Sequence, residues 1–362
     1  MKLKSPLNEI YSHDKCDSDE KLHDLTNRII FAPLIFQVSR LTIKWGILKL
    51  LDDNKNGLSL KDIEKQTNLS QDVLRMLLSV SLIAQTVLYH DDMFFLAKTG
   101  WFLLHDKMVE IHMNLNHEMN YIGFFDLEKA ILEGKPAGLK HLGNWPTLYE
   151  GLSSFPDHIK NTWLTFDHFY SDNAFEQALE IIFFNQPKKL LDVGGNTGNF
   201  ATQCISHDNA VEVTIMDLPQ QLEMMRQATA GLDGANRIHG HGCNLLDEST
   251  AFPTGFDAIW MSQFLDCFSE EQVCSILRRA AQSMTSRCKL YIMETFWDRQ
   301  TFETASYCLA QISLYFTAMA NGNSKMYYSE DMIRCIEQAG LQVAEIHDHI
   351  GLGHSILECR KK

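Results

Sequence analysis

The spacing of apolar positions divides the chain into two parts of different character. Up to about Asp106 apolar residues recur at helical intervals, and LSLKDIEKQTNLSQDVLRMLLSVSLIAQ reads as helix, turn, helix. TVLYHDDMFFLAKTG follows as two short strands about His90-Asp91-Asp92, so the pattern predicts a winged helix. The most apolar early run, Ile29 to Leu51, is interrupted by Pro33, Arg40 and Lys44. It predicts a buried amphipathic helix and not a membrane span. Residues 108–184 read as helices with loops. From Lys189 the pattern switches to alternating strands and helices. KLLDVGG, EVTIMDLP, GFDAIWMSQFL and CKLYIMETF are strands, and LQVAEIHDHI with HSILECRK forms a terminal hairpin about Gly351-Leu352-Gly353. This alternation predicts an α/β fold with a doubly wound, mostly parallel sheet and an antiparallel last strand. Ser269 and Gln272 have capping-box spacing, so a helix is expected to start just after IWMSQFLDCF.

Composition narrows the function classes. The chain has 362 residues, 45% of them hydrophobic, which suits a folded protein with a sizeable core. Its formal net charge of -14 argues against nucleic acid, whose phosphates need a basic footprint. The second helix of the winged segment, Gln71 to Gln85, carries Arg75 as its only base and is otherwise apolar, a poor major-groove reader. Nine cysteines are scattered without a CxxC pair, and no histidine cluster has metal spacing; reduced thiols in a cytoplasmic protein and no metal site are expected. The N-terminal stretch lacks an apolar core, so no signal peptide is expected.

The strongest chemical signal is LLDVGGNTGNF, a strand running into a turn with Gly194, Gly195 and Gly198. Glycines allow a tight turn and close approach of a ligand. Asn196 stands where left-handed angles are tolerated. Asp217, in IMDLP at the end of the next strand, is placed to hold ribose hydroxyls, and Pro219 opens the following helix. Asp192 separates two cofactor classes. A dinucleotide would bring a pyrophosphate to this turn, which an acid two residues before the first glycine repels. S-adenosylmethionine brings a sulfonium and an ammonium, which the acid suits.

These segments resemble class I S-adenosylmethionine-dependent methyltransferases. With the winged-helix half, the chain resembles nearly end to end the small-molecule O-methyltransferase family that includes caffeate and hydroxyindole O-methyltransferases. The resemblance implies a Rossmann-like sheet of seven strands. It implies a winged-helix dimerisation domain over 1–108, a helical connecting and acceptor-site segment over 109–186, and a cofactor domain over 187–362. It implies a homodimer through the N-terminal domain, a small acceptor, and neither nucleic acid nor membrane as partner. S-adenosylmethionine would be contacted by Asp192, Gly194, Gly195, Asn196 and Gly198. Asp217 and Leu218 would lie at the ribose, Asn244 and Leu245 where the family's adenine-contacting pair falls, and Ser262, Gln263 and Tyr170 elsewhere along the cofactor.

The chain departs from the family where catalysis is expected. Aligned on the family's L-H-D-W pattern, Leu265 matches, Asp266 replaces the histidine that serves as general base, Cys267 replaces the aspartate and Phe268 the tryptophan. Met326 and Tyr327 stand where the family has a glutamate that orients that histidine and an arginine. An unperturbed aspartate, near ~3.9, is less favourable than histidine, near ~6.5, for taking a phenol proton by roughly 3.5 kcal/mol. Three readings of Asp266 stand side by side: a base whose pKa is raised by apolar neighbours such as Phe264 and Phe268, a group that binds or orients an acidic or amine acceptor, or a turn residue. His168 and Tyr170 in FDHFYSD are further candidates, His168 as a base. His349 and His354 flank the final hairpin loop, and each reads first as a surface or structural residue. An aromatic and methionine stripe (Tyr307, Leu314, Tyr315, Phe316, Met319) falls near the acceptor side; it reads first as core, and any part of it that lines the pocket implies a flat, apolar acceptor. Methyl transfer to oxygen is the default, with nitrogen or carbon open. The alternative is a cofactor-binding, catalytically altered or regulatory homologue.

Overall fold

The structure is a computed structural model that describes residues 7–14, 16 and 18–362. Residues 1–6, on which part of the signal-peptide reading falls, lie outside the described residues. The chain forms two compact units, one from Ser12 to His117 and one comprising Glu118 to Lys362 with the short helix Leu7–Tyr11.

In the first unit, helices Asp19–Lys44, Ile47–Asp53, Leu60–Thr67 and Gln71–Ile83 precede β1 (Val87–His90) and β2 (Met93–Leu96). Ser59 and Ser70 cap the third and fourth helices by accepting from Asp62 N and Val73 N. β1 and β2 pair antiparallel, and Asp91 and Asp92 both take left-handed angles, φ 52° and 60°, as a two-residue hairpin turn requires. The winged-helix pattern is therefore present. Arg75 is already paired with Asp72 and Gln71.

The run Ile29 to Leu51 corrects the sequence reading. It is not one buried helix: a left-handed Gly46 (φ 74°) separates two helices, and only the second buries its apolar residues, Ile47, Leu48 and Leu51. Ile29, Ile30, Phe31 and Leu34 are 51–68% exposed in the single chain. Apolar side chains at 29, 30, 31 and 34 spread over more than one helical face, so no single stripe can cover them.

The second unit holds a seven-stranded sheet in the order β5-β4-β3-β6-β7-β9-β8. Its strands are β3 (Lys189–Val193), β4 (Glu212–Asp217), β5 (Ile238–Gly242), β6 (Ala258–Ser262), β7 (Lys289–Glu294), β8 (Leu341–Ile350) and β9 (His354–Lys361). β9 runs antiparallel to both β7 and β8, while the pairings among β3 to β7 are parallel. Alternate residues feed two cores. Leu191, Met216, Met261 and Ile292 face one layer of helices; Leu190, Ile215, Trp260 and Met293 face the other. β5 was missed in the segment reading because IHGHG has no β-branched run; it is an edge strand held by register with β4, from Val213↔Ile238 to Asp217↔Gly242. From β3 the chain proceeds to β4 and β5 on one side, then to β6 and β7 on the other. The crevice at this reversal, beyond the carboxyl ends of the strands, is where doubly wound folds place ligands.

Candidate functional site

A cavity of about 560 Å³ lies at that crevice, lined by the ends of β3, β4 and β6, the loop after β7, and the helices Asp157–Phe183 and Glu303–Tyr315. Its first half is built on the glycine turn. Gly194 takes φ 76° and donates its N–H to Met216 O at 2.9 Å, joining the turn to β4. A Cβ there would come within 2.3 Å of the Phe264 ring, and one on Gly195 within 2.6 Å of Asp192 Oδ2. Asn196, at φ 48°, donates its backbone N–H to Asp217 Oδ2 at 2.9 Å, and Leu218 donates to Oδ1 at 2.7 Å. Asp217 thus straps the turn to β4 while still facing the cavity. Burial pushes its pKa up to about 6, against those two N–H donors. Asp192 is buried, and burial followed by the charge of Asp217 lifts it to about 8. Asp192 Oδ2, Asn196 Oδ1 and Ser262 Oγ are buried with no partner among the described residues. Three orphaned polar atoms around glycines that admit no side chain fit a polar, cationic ligand that would complete them.

Gln263 takes a left-handed φ of 44° at the end of β6, and its Oε1 accepts from His354 Nε2 at 3.0 Å. His354 is fully buried, and burial lowers its pKa to about 4, so it stays neutral. It packs edge-on against the Tyr170 ring. Asn244 sits exposed at the rim, where its Oδ1 closes a turn by accepting from Leu246 N at 2.9 Å. Leu245 beside it is buried.

The second half is aromatic and acidic. Trp163 donates from Nε1 to Tyr315 OH at 2.7 Å, and Tyr149 meets Trp163 edge-on. Asp266 lies here, 4% exposed, in a short 3₁₀ turn directly after β6. Phe264 and Phe268 flank that turn with ring centroids 4.9 Å apart. Burial pushes the Asp266 pKa up to about 7, and the charge of Asp167 adds to the rise. Asp167, on the helix Asp157–Phe183, is itself lifted to about 6 by burial. Behind Asp266, Glu294 at the end of β7 accepts from Phe264 N (3.1 Å) and Leu265 N (2.8 Å) through Oε1. Its pKa is raised by burial and then by Asp266, since two neighbouring carboxylates resist ionising together.

Of the residues singled out from sequence, Asp192, Gly194, Gly195, Asn196, Asp217, Leu218, Asn244, Leu245, Ser262, Gln263, Tyr170, His168 and Asp266 all line this one cavity. Gly198 does not. It opens the helix Asn199–His207 at φ 82°, and a Cβ there would meet Met225 at 2.9 Å, so its glycine serves packing. His168 faces Asp172 at 3.6 Å, which raises its pKa and leaves less of it unprotonated and free to accept a proton at neutral pH. Of the aromatic stripe, Tyr315 and Phe316 line the cavity, with Leu309 and Ile312 one turn earlier. Tyr307 is exposed, while Leu314 and Met319 are absent from the lining. Met326 lines the cavity, receives a hydroxyl contact from Thr295 and offers no charge, whereas Tyr327 donates to Phe268 O. Sequence reading passed over Asp167 and Glu294. The signal for Glu294 was an acid at the end of a strand, in IMETF; for Asp167 it was adjacency to His168.

The chain matches two family descriptions: a Dimerisation2-like domain over residues 24–94 and an O-methyltransferase domain over residues 165–342. Curated relatives are distant. One is a bacteriochlorophyllide d C-20 methyltransferase of Chlorobaculum tepidum, 21% identical over 56% of this chain, a match spanning 60% of the relative's length. Another is an L-tyrosine C(3)-methyltransferase of Streptomyces lavendulae, 20% identical over 83% of this chain and 81% of the relative. Among solved structures, mitomycin 7-O-methyltransferase superposes with a TM-score of 0.70 at 18% identity, over 95% of this chain and 98% of that one. An O-methyltransferase from neocarzinostatin biosynthesis, in complex with S-adenosylmethionine and a naphthoic acid, superposes with a TM-score of 0.67 at 17% identity, over 90% and 96%.

Proposed function

The chain belongs to the O-methyltransferase family, and from that membership and the geometry of its cavity we propose that it transfers the methyl group of S-adenosyl-L-methionine to a small, flat acceptor. The observation that carries this reading is the paired construction of the cavity: orphaned polar atoms and an acid around a glycine turn on one side, and aromatic walls with a buried acid on the other. The cofactor would supply an electrophilic methyl on a sulfonium. Asp192, Gly194, Gly195 and Asn196 would hold its amino-acid end, Asp217 and Leu218 its ribose, and Asn244 and Leu245 its base. Ser262, Gln263 and Tyr170 would close the remaining wall. His354 fixes the Gln263 amide from behind, which supports a preset site.

Methyl transfer is an in-line displacement, so alignment of acceptor and sulfonium supplies much of the acceleration. Tyr149, Trp163 and Tyr315 would orient the acceptor and keep out water. Asp266 is the first candidate for receiving a proton, because burial places its pKa close to neutral pH, where general bases work best. Glu294 behind it, raised by burial and then by Asp266, would resist ionising beside it. His168 is the second candidate. Residues 1–108 would carry the homodimer contact, 109–186 the acceptor side and 187–362 the cofactor, in a cytoplasmic enzyme with unpaired cysteines. Among the described residues no helix is long and apolar enough to cross a membrane.

A second reading, a cofactor-binding homologue that regulates without catalysing, is favoured by the replacement of the expected histidine with Asp266. Calorimetry with S-adenosylmethionine and S-adenosylhomocysteine tests both, and absence of binding removes them together. Release of S-adenosylhomocysteine against a panel of phenols, amines and polyketide-like acids separates enzyme from regulator. Once an acceptor is known, Asp266→Asn is expected to lower kcat about 10²-fold or more, and wild-type turnover would take Asp266 out of the mechanism.

A further inference from the structure

The cavity has a one-sided charge balance. Among the described residues its lining contains the acids Glu150, Asp167, Asp192, Asp217 and Asp266 and no lysine or arginine. Asp192 and Asp217 belong to the glycine turn, where a sulfonium cofactor and its ribose account for them. Of the other three, Glu150 is exposed, Asp167 accepts a hydrogen bond from the Asn196 side chain, and Asp266 stands on the aromatic side. Asp266 is nine-tenths buried and faces the cavity; its hydrogen-bond donors are the Cys267 thiol at 3.5 Å and its own backbone N–H, with no cation against it. Glu294 behind it is 2% exposed and leaves Oε2 without a partner. Among the described lining residues on this side His168 alone can carry positive charge; it pairs with Asp172 at 3.6 Å and also lowers the pKa of Asp167, so Asp266 is the acid without a counter-charge.

Buried carboxylates without a counter-charge are costly, and proteins compensate them with a basic side chain, a metal ion or a ligand cation. Among the described residues the lining offers no lysine or arginine. A metal needs converging donors, and among the described residues the only trio of ligand atoms within 4.8 Å of one another is Glu345, His347 and Glu358 on the β8–β9 hairpin, not in this cavity. Without a ligand Asp266 sheds its charge by taking up a proton near neutral pH; a ligand cation is what would hold it ionised. The walls suit one: the Trp163, Tyr149 and Tyr315 rings stand around the acids, and aromatic faces attract organic ammonium groups. An anionic acceptor would meet Asp167 and Asp266 with like charge.

We infer that the acceptor is a small aromatic amine, bound as its ammonium ion, with the charged nitrogen against Asp266 and Asp167 and the ring among Trp163, Tyr149 and Tyr315. This rests on the methyltransferase reading for the placing of the cofactor and adds the acceptor class to it.

The test measures binding to protein saturated with S-adenosylhomocysteine, using probes that share an aromatic body and differ in charge: tyramine, 4-ethylphenol and 3-(4-hydroxyphenyl)propionate, then tryptamine, 3-ethylindole and indole-3-propionate. In at least one trio the amine is expected to bind about tenfold or more tighter than its neutral counterpart, with the anion weakest. Asp266→Asn and Asp167→Asn are each expected to cut that preference to roughly threefold or less, since each removes one of the facing charges. Equal binding of amine and neutral probe, no binding by any probe, or a preference that survives both substitutions overturns the inference. S-adenosylhomocysteine affinity, measured on the same samples, reports whether each variant is folded. It also keeps the two failures apart. If the cofactor product does not bind, the methyltransferase reading falls; if it binds and amines show no preference, the amine assignment falls alone.

Discussion

Asp266 shows how far one residue's chemistry depends on where the fold puts it. In solution its carboxyl would be a poor proton acceptor near neutrality. Burial in the turn after β6, with Asp167 across the cavity, brings it to about 7. The same burial gives the site a stability cost. Asp192, lifted to about 8, binds a proton in the folded chain that the unfolded chain, near ~3.9, has already released. The folded form therefore holds more protons between about pH 4 and 8, and this group's contribution to stability falls as pH rises through that window, then levels. Urea unfolding of wild type and Asp192→Asn, without cofactor, should show the variant gaining on wild type from pH 5 to 8 by more than about 1 kcal/mol. A constant difference across that range would contradict the assignment. Gly194 is the second residue-scale case. Alanine there meets both a left-handed φ of 76° and the Phe264 ring at 2.3 Å. Gly194→Ala is expected to cost about 1–2 kcal/mol from the backbone alone, and to weaken S-adenosylhomocysteine binding on calorimetry because the turn must shift.

At the scale of elements, the turn that holds Asp266 is fixed from its far side. The helix Glu270–Ser283 starts at a complete capping box, in which Ser269 Oγ accepts from Gln272 N and the Gln272 side chain accepts from Ser269 N. Ser269→Ala should lower stability by about 1 kcal/mol, read as a shifted urea midpoint with an unchanged slope. No shift would mean that packing alone defines this helix start. The box was legible in the sequence because it is local, with both partners three residues apart. The hairpin at Asp91-Asp92 was legible for the same reason. β5 was not, because IHGHG owes its extended form to pairing with β4. The run Ile29 to Leu51 reads as one buried helix because its apolar content is visible in the sequence and the arrangement of its faces is not.

For the whole molecule, the open question in the single chain is the apolar surface carried by Ile29, Ile30, Phe31 and Leu34. Apolar residues clustered and exposed in this way mark an interaction surface, and the Dimerisation2-like match covers them. Light scattering at micromolar concentration is expected to give a dimer of the 41.5 kDa chain, and Ile30→Glu with Phe31→Glu is expected to give a monomer. A wild-type monomer would contradict the dimer.

The sequence by itself determined what local patterns encode. The glycine turn, Asp217 at the end of its strand, the capped helices and the alternation that requires a doubly wound sheet all depend on residues a few positions apart or on a period. It also marked Asp266 as a departure. The tertiary structure decided what depends on distant segments meeting. Asp167, Asp266 and Glu294 come from a helix, a turn and a strand end far apart in the chain, and no periodicity announces that they share one buried space. Burial sets their proton affinities, and burial exists only once the sheet has closed over them. The same holds for His354, which the sequence leaves as a surface or structural residue and which β9 places behind Gln263.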